Sequence, residues 1–362
     1  MPRDSYVDDD VRHATAGTGP TGRLSRGRII GLGAAALAVA GGGLALVLPR
    51  GHAAGRPKVV VQYDWLMSNG QIGDVVALRK GFFAAEGLDV VLVPGGPNSA
   101  TASPVIAGQA QLGQFSEVAQ VLLARSSGVP IKVIAVGYRT APFAFFSLPR
   151  SPVRSVADMA GKRIGIQPTG RYILEAVLAK NKIDPSALSI TDVGSDLTPL
   201  ITNRVDAISA WVTNAHALAV LGSDRIELPM AKTGLPSYGD AYFATDDAIE
   251  HHPEILAHFI RAVAKGWGWT YEHPQEAVAM TVAAYPQLDL AVEKRAIETV
   301  LGLSFDRDTA KDGWGTFLRE SIVEQLAVFD AAGQFKDGAP KPDEAATTKI
   351  LEMTAADRPK FG

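Results

Sequence analysis

Trp65 and Trp211 each close a short apolar run and open onto polar residues, an arrangement suited to gripping a small flat molecule. The run Lys58 to Tyr63 ends in Asp64 and Trp65, with Asn69 and Gln71 just beyond. The run Asp206 to Trp211 is followed by Val212, Thr213 and Asn214. Two aromatics facing one cleft can sandwich a ring, and a few convergent polar groups then fix its orientation. Trp65 sits in a polar loop, where ligand contact is the better reading. Trp211 stays open between ligand contact and core filling. Further hydrogen-bonding groups stand at other strand ends: Asn98, Ser116 and Glu117, and later Tyr238 and Asp240. Glu117 and Asp240 can accept from an amino-substituted ring or a cation. Glu117 reads equally well as a carboxylate that offsets the dipole of a helix start.

The middle of the chain offers a second kind of chemistry. Gly161-Lys-Arg-Ile-Gly-Ile-Gln-Pro-Thr-Gly-Arg-Tyr reads as a buried strand, Arg163 to Ile166, then a turn and a helix from Arg171. Pro168 ends the strand ladder, and Thr169 or Gly170 can cap the helix. Free N–H groups at such a start favour an anion or polar ligand. Gln167, Thr169, Gly170, Arg171 and Tyr172 are the candidates there. Arg171 can grip a phosphate, carboxylate or sulfonate as a planar fork; the plainer alternative is a solvated first-turn arginine.

His251, His252, Glu254 and His258 invite a zinc reading, but they open an amphipathic helix and lack a full ligand set at usual spacing. No nucleophile elbow, phosphate-binding glycine loop or zinc-protease motif occurs. The expectation is a protein without cofactor or metal, and not an enzyme.

These residues need a scaffold. Apolar runs at 58–63, 87–93, 110–115 and 131–136 alternate with helical spacings at 75–83, from Ser99 or Thr101, and at 118–125. Strands alternating with helices make a parallel sheet, with ligands beyond the carboxyl ends of the strands. Phe143 to Leu148 reads as a crossing into a second unit, with strands at 163–166, 188–193, 206–211 and 224–228. Tyr238 to Thr245 crosses back. Two crossings give an α/β fold of two lobes joined by a two-segment hinge: residues 54–143 and 239–362 in one lobe, 144–238 in the other. The remainder is mostly helical, at 253–271, 274–284, 290–301 and 316–332, packing on the first lobe, with a loose end after Asp337.

The chain has 362 residues, 47% of them hydrophobic, a formal net charge of −3 and no cysteine. The charge gives no basic footprint for nucleic acid. The lack of cysteine excludes disulfides, cysteine-ligated zinc and a thiol nucleophile. Residues 1–53 read as a polar disordered start and an export signal. Arg23, Arg26 and Arg28 precede an apolar run from Ile29 to Leu48, and small residues follow at Gly51 to Ala54. Ser25-Arg-Gly-Arg-Ile-Ile resembles a degenerate twin-arginine signal. The run also has the length of a membrane span, so an uncleaved anchor is the alternative.

Several stretches carry a family resemblance. Asp64-Trp65, Asn69-Gly-Gln71, Val76-Ala-Leu-Arg-Lys-Gly-Phe-Phe-Ala-Ala-Glu-Gly-Leu-Asp-Val90 and Pro94-Gly-Gly-Pro-Asn98 are similar to the opening of the NMT1/THI5-like solute-binding proteins of ABC importers. Ser155-Val-Ala-Asp-Met-Ala-Gly-Lys-Arg-Ile-Gly-Ile166 and Asp196-Leu-Thr-Pro-Leu-Ile-Thr-Asn-Arg-Val-Asp-Ala-Ile-Ser-Ala-Trp-Val-Thr-Asn214 continue it, over about Lys58 to Tyr271. The resemblance implies a periplasmic-binding-protein-like fold (type II) with the ligand cleft between its lobes. It implies an extracytoplasmic monomer that captures a small molecule and delivers it to a permease and its ATPase. The Asp-Trp opening is most like members that carry thiamine pyrimidine precursors; sulfonate, taurine or nitrate is the runner-up, with Arg171 doing most of the holding. Some relatives of the fold are pyrimidine synthases that need a cysteine-rich motif, which this chain lacks. A membrane-anchored sensor or extracytoplasmic enzyme is the alternative of another class.

Overall fold

The computed structural model describes residues 55–96 and 99–362. The expected export segment and Asn98 lie outside the described residues. Among the described residues, ten strands form two five-stranded sheets. The first holds β1 (Lys58–Tyr63), β2 (Asp89–Val93), β3 (Leu112–Glu117), β4 (Ile131–Tyr138) and β10 (Gly239–Thr245), in the order β2-β1-β3-β10-β4. The second holds β5 (Phe143–Ser147), β6 (Arg163–Ile166), β7 (Ser189–Asp192), β8 (Ala207–Trp211) and β9 (Ile226–Pro229), in the order β7-β6-β8-β5-β9. Each sheet carries its own helices, which gives two α/β lobes.

The strands form where β-branched residues alternate with less buried ones. In β1, Val59, Val61 and Tyr63 are fully buried while Lys58, Val60 and Gln62 are not, the period-two pattern of a pleated strand. β1 pairs in parallel with β2 and β3, so their carboxyl ends point the same way. β10 returns antiparallel between β3 and β4. Its first residue, Gly239, therefore stands level with Glu117 on one side and Tyr138 on the other. In the second lobe β5 runs antiparallel to β8, which sets Phe143 opposite Trp211.

Helix α1 (Ile72–Arg79) and helix α4 (Pro253–Glu272) cross on the outer face of the first sheet. Between them in the chain stand α2 (Val118–Ser126) after β3 and α3 (Arg171–Lys180) after β6. The crossing is close because both helices present glycine: a Cβ on Gly266 would lie 2.0 Å from the Gly73 carbonyl oxygen. At the next position Trp267, fully buried, stacks on Trp314 with ring centres 5.9 Å apart and meets Tyr138 edge-on.

The chain then runs through α5 (Pro274–Ala284), α6 (Leu290–Ser304) and α7 (Arg319–Ala331). These helices do not confine themselves to the first lobe. α7 lies on α3 of the second lobe: Lys180 Nζ meets Glu324 Oε1 at 2.7 Å, and Tyr172 packs on Phe329. α6 touches both the turn Asn69–Gln71 and the short helix Ala215–Leu218. The stretch expected as a helix from Thr316 stays extended until Arg319, and its Leu318 N–H donates to the Tyr238 hydroxyl.

The tail is not loose. Ala345 and Thr354 are fully buried, and Arg358 donates to the Gly313 and Trp314 carbonyls at 2.8 and 2.7 Å. Phe361 stacks flat on Tyr271, centres 4.4 Å apart. Proline and charge suggest a frayed end, but these spaced anchors hold it down. No helix among the described residues is long and apolar enough to cross a membrane.

The glycine pair gives a direct check. Gly266→Ala should destabilise the protein by about 2 kcal/mol or more, since overpacking at a rigid backbone contact has no cheap relief. Gly302→Ala, in α6 with open space around it, should be neutral or add up to ~1 kcal/mol through helix propensity. Urea denaturation of both variants decides it. Equal effects would overturn the close-crossing account.

Candidate functional site

A cavity of about 250 Å³ opens between the lobes. Its walls come from three sources. Trp65, Gln71, Ser116, Tyr138 and Asp240 come from the strand ends and first turn of the first lobe. Trp211, Thr213, Asn214 and His216 come from the end of β8 and the helix after it. Gln287, Leu288, Asp289 and Glu293 come from the start of α6. No lysine or arginine is among the described lining residues.

Trp65 and Trp211, both partly buried, thus face one space from opposite lobes. Trp211 is braced edge-on by Phe143, ring centres 5.4 Å apart. The Asn214 side-chain oxygen accepts from the Ala217 N–H and caps the helix that carries His216.

Asp64 works one layer back. Its carboxylate accepts from the Ser116 N–H at 2.7 Å and hydroxyl at 2.9 Å, and from the Gln120 amide at 3.3 Å. It holds Ser116 at the cavity wall rather than lining the wall itself. Burial pushes its carboxyl up to about 6, against the lowering effect of those three hydrogen bonds. Gln71 is anchored in the same manner, donating from Nε2 to the Gln114 amide oxygen at 3.2 Å.

Acidic side chains crowd this end of the first sheet. Asp74 accepts from the Tyr63 and Tyr242 hydroxyls at 2.8 and 2.7 Å, and burial raises it to about 6. Glu117 is 1% exposed, its Oε1 has no partner among the described residues, and burial followed by the Asp64 charge raises it to about 8. Tyr172 reaches this cluster from the second lobe: burial, then Glu117 and Asp64, push its phenol well up. Asp240 and Glu293 are each 3% exposed. Burial holds Asp240 well above the carboxylate range, with Asp74 and Asp64 adding to it; burial and then Asp289 raise Glu293 to about 7. Asp240 also adopts φ +48°, a left-handed conformation rare for a residue with a Cβ. Gly137 makes room for it, since a Cβ there would lie 2.7 Å from the Asp240 Cβ.

The structure sorts the candidate residues. Trp65, Gln71, Ser116, Trp211, Asn214 and Asp240 meet at the cavity, with Asp64, Glu117 and Tyr172 packed behind it. Asn69 and Tyr238 have other duties. Asn69 is fully buried and donates to the Glu293 carbonyl at 3.0 Å, tying α6 to the first turn. Tyr238 is buried, stacks under Arg139 at 4.7 Å and accepts from Leu318. Gln167, Thr169, Gly170 and Arg171 do not line the cavity. Gly170 packs on the Phe143 ring, and Arg171, exposed, pairs with Glu175 at 3.3 Å and Asp192 at 3.4 Å. His258 joins Glu86, Arg261 and Lys265 in an ion cluster on α4. Tyr138, His216 and Glu293 escape the sequence reading. Tyr138 ends a strand in the same way as Ser116, a signal the sequence carries; Glu293 looks like any helix-surface acid.

Two lobes built on separate sheets, connected twice, with a lined cavity between them, define the periplasmic-binding-protein fold. The sulfonate-binding protein SsuA of Methylobacillus flagellatus KT matches it with a TM-score of 0.61, over 83% of this chain and 94% of that one, at 14% identity, a likeness of fold. The family model described as NMT1/THI5 like matches residues 69–277, and the chain belongs to that family. Among curated relatives, the formylaminopyrimidine-binding protein of Halalkalibacterium halodurans is 28% identical over 75% of this chain and 84% of its own length. The riboflavin-binding protein RibY of Chloroflexus aurantiacus is 25% identical over 66% and 71%.

The buried acids set a pH dependence for the unliganded protein. A carboxyl whose folded value is raised binds more protons in the folded than in the unfolded state, so stability falls as pH rises. The loss starts above the ordinary carboxylate values of about 4, passes through about 6 for Asp64 and Asp74, and ends near about 8 for Glu117. Urea titrations should therefore give lower stability at about pH 8 than at about pH 5. Glu117→Gln, which keeps the shape and removes the charge, should recover on the order of 1–3 kcal/mol at about pH 8 and little at about pH 5. A stability that climbs over this range would refute the account.

Proposed function

We propose that this protein is the solute-capturing component of an ABC importer, exported from the cytoplasm, and that its ligand is a small nitrogen heterocycle such as a thiamine pyrimidine precursor. The observation that carries the reading is the pair Trp65 and Trp211, presented to one cavity by opposite lobes. A flat ring between them contacts both lobes at once and so favours the state in which they are together. That differential affinity is the whole of the work: the ligand shifts the population toward the closed form, and a permease and its ATPase act on that form. Ser116, Gln71, Asn214 and Asp240 supply hydrogen-bonding groups around the ring edge.

Charge argues against the sulfonate, taurine or nitrate reading. An anion would enter a cavity lined by Asp240, Asp289 and Glu293, with no lysine or arginine among the described lining residues. Arg171, its expected holder, already serves two carboxylates outside the cavity. Size argues for one ring rather than three, since about 250 Å³ is at the small end of ligand pockets. The relatives that carry formylaminopyrimidine and riboflavin in their names point to heterocycles as a class. Capture without turnover agrees with a chain that has no cysteine to serve as a thiol nucleophile.

A thermal-shift panel of aminopyrimidines and their phosphates, flavins, taurine, alkyl sulfonates and nitrate tests the reading. A ligand at one hundred times its dissociation constant adds about 2.7 kcal/mol. Aminopyrimidines should raise the melting temperature. Trp65→Ala should weaken them roughly 5–100-fold, the range of one stacking contact, while Arg171→Ala stays within about twofold of the parent. A shift with sulfonates alone, abolished in Arg171→Ala, would replace this reading with anion uptake; conversion of a ligand would make the protein an enzyme. N-terminal sequencing of the exported chain, expected to begin near Ala53 or Ala54, tests export with cleavage, and an intact start would favour the anchored alternative.

A further inference from the structure

Two carboxyl groups in the cavity wall have no answering group. Asp240 stands at the start of β10 and Glu293 in the first turn of α6, elements remote in sequence that meet at this cavity. Each residue is only 3% exposed. Asp240 Oδ2 and Glu293 Oε2 are buried and accept no hydrogen bond from any described residue. Polar groups around them are committed elsewhere or exposed. Tyr138, whose phenol lies within the electrostatic reach of both carboxyls, donates to the Gly70 carbonyl at 3.2 Å. The Asn69 amide donates to the Glu293 backbone carbonyl, not to its side chain. His216 is exposed.

An unanswered buried carboxyl is costly, and native structures rarely keep one without a use. Here two share one small cavity, and one of them stands in a left-handed backbone conformation with its Cβ set close against a facing glycine. Local strain and unmet polar groups concentrate where a ligand completes the arrangement.

We propose that Asp240 and Glu293 form a subsite for a cationic N–H donor, a primary ammonium or an amidinium-type group, carried by the ligand whose ring lies between Trp65 and Trp211. The proposal rests on the ligand-capture reading of the same cavity and adds the charge that selects among ligands. An ammonium offers three donors and a positive charge to two acceptors that the protein leaves unmet, and such charge-assisted bonds are about twice as strong as neutral ones. A neutral amide or alcohol in the same place gives fewer donors and no charge. An anionic substituent makes no charge-assisted bond with these acceptors and keeps both carboxyls, already raised by burial, from ionising.

Calorimetric titration with probes matched in shape tests it. The pyrimidine set is 4-amino-5-aminomethyl-2-methylpyrimidine, its N-formyl derivative and the 5-hydroxymethyl analogue. The benzene set is benzylammonium, benzyl alcohol and benzoate. The aminomethyl compound should bind at least about 10-fold tighter than the hydroxymethyl and formyl compounds. Glu293→Gln should weaken it roughly 10–100-fold and change the hydroxymethyl compound by less than about threefold, and Asp240→Asn, which also removes a group at the ring edge, should weaken the aminomethyl compound at least about 10-fold more than the hydroxymethyl one. Trp65→Ala should weaken all three pyrimidines alike. Pyrimidines that bind without regard to charge, or a preference that survives both amide variants, overturn the subsite and leave the ring reading standing. Benzylammonium binding over benzyl alcohol, with no pyrimidine bound, overturns the nitrogen-heterocycle reading and supports the subsite. No ammonium preference in either set overturns the subsite outright, and this comparison uses the parent protein, so it stands even if a variant fails to fold.

Discussion

The return of β10 between β3 and β4 governs most of what lies at the cavity. Because it runs antiparallel to both, its first residues arrive at the carboxyl ends of its neighbours. Glu117, Tyr138 and Asp240 are thereby gathered at one end of one sheet, with Asp64 at the end of β1 beside them. No local preference would assemble three carboxyl groups and a phenol in this way. The sheet register does. The segment leading into this strand is one of the two connections between lobes, so the feature that concentrates polar groups also fixes where the chain re-enters the first lobe.

That concentration has a consequence for stability. Carboxyls desolvated near one another resist ionisation, and each one left without a donor subtracts from the folded state at neutral pH. Asp64 and Asp74 are compensated, by Ser116 and Gln120 in one case and by two tyrosines in the other. Glu117, Asp240 and Glu293 each keep an oxygen unmet. The division is informative. Asp64 holds Ser116 in the wall and Asp74 ties two core tyrosines, while Asp240 and Glu293, which line the cavity, keep acceptor capacity unmet. A ligand supplying donors stabilises the folded protein by removing that penalty as well as by its own contacts, so the ligand's effect on stability is expected to exceed what ring stacking alone would give.

Much of this was legible in the sequence, and the limits have physical causes. Short apolar runs between helical spacings mark the strands, and the rule that α/β ligands sit at carboxyl ends leads from those strands to Trp65, Ser116 and Trp211. Asp64 stands where the sequence places it but serves a different purpose, because a loop acid beside a serine reads the same whether it holds a ligand or its own backbone. Arg171 was overvalued although its partner was visible, since Glu175 lies four residues on along the same helix face. Glu293 was beyond reach, because its burial depends on Asn69, 224 residues away, gripping the carbonyl of its turn. The tail was misjudged from composition, which says nothing of where one arginine and one phenylalanine will land.

The helices after β10 alter how the two lobes can move. A simple clamshell has its lobes joined only by the hinge, but here α6 and α7 each touch both lobes or cross to the second one. α7 lies on α3 through the Lys180–Glu324 pair and the Tyr172–Phe329 contact, and the Gln334 amide donates to Glu175 at 2.7 Å. Tyr172 also lies within electrostatic reach of Glu117, whose charge helps push its phenol up. Opening the cleft therefore has to part Tyr172 from Phe329 or carry α7 with the second lobe, and either way it draws Tyr172 away from Glu117. An ionised Glu117 then opposes reclosure, because burying it again means protonating it or finding it a donor. On the proposed reading, a ligand ring stacked between Trp65 and Trp211 would act in the other direction. The balance between open and closed forms would then be set by an aromatic contact on one side of the cavity and a desolvated acid on the other, coupled because Trp65 and Glu117 both follow strands of the first sheet at the same end.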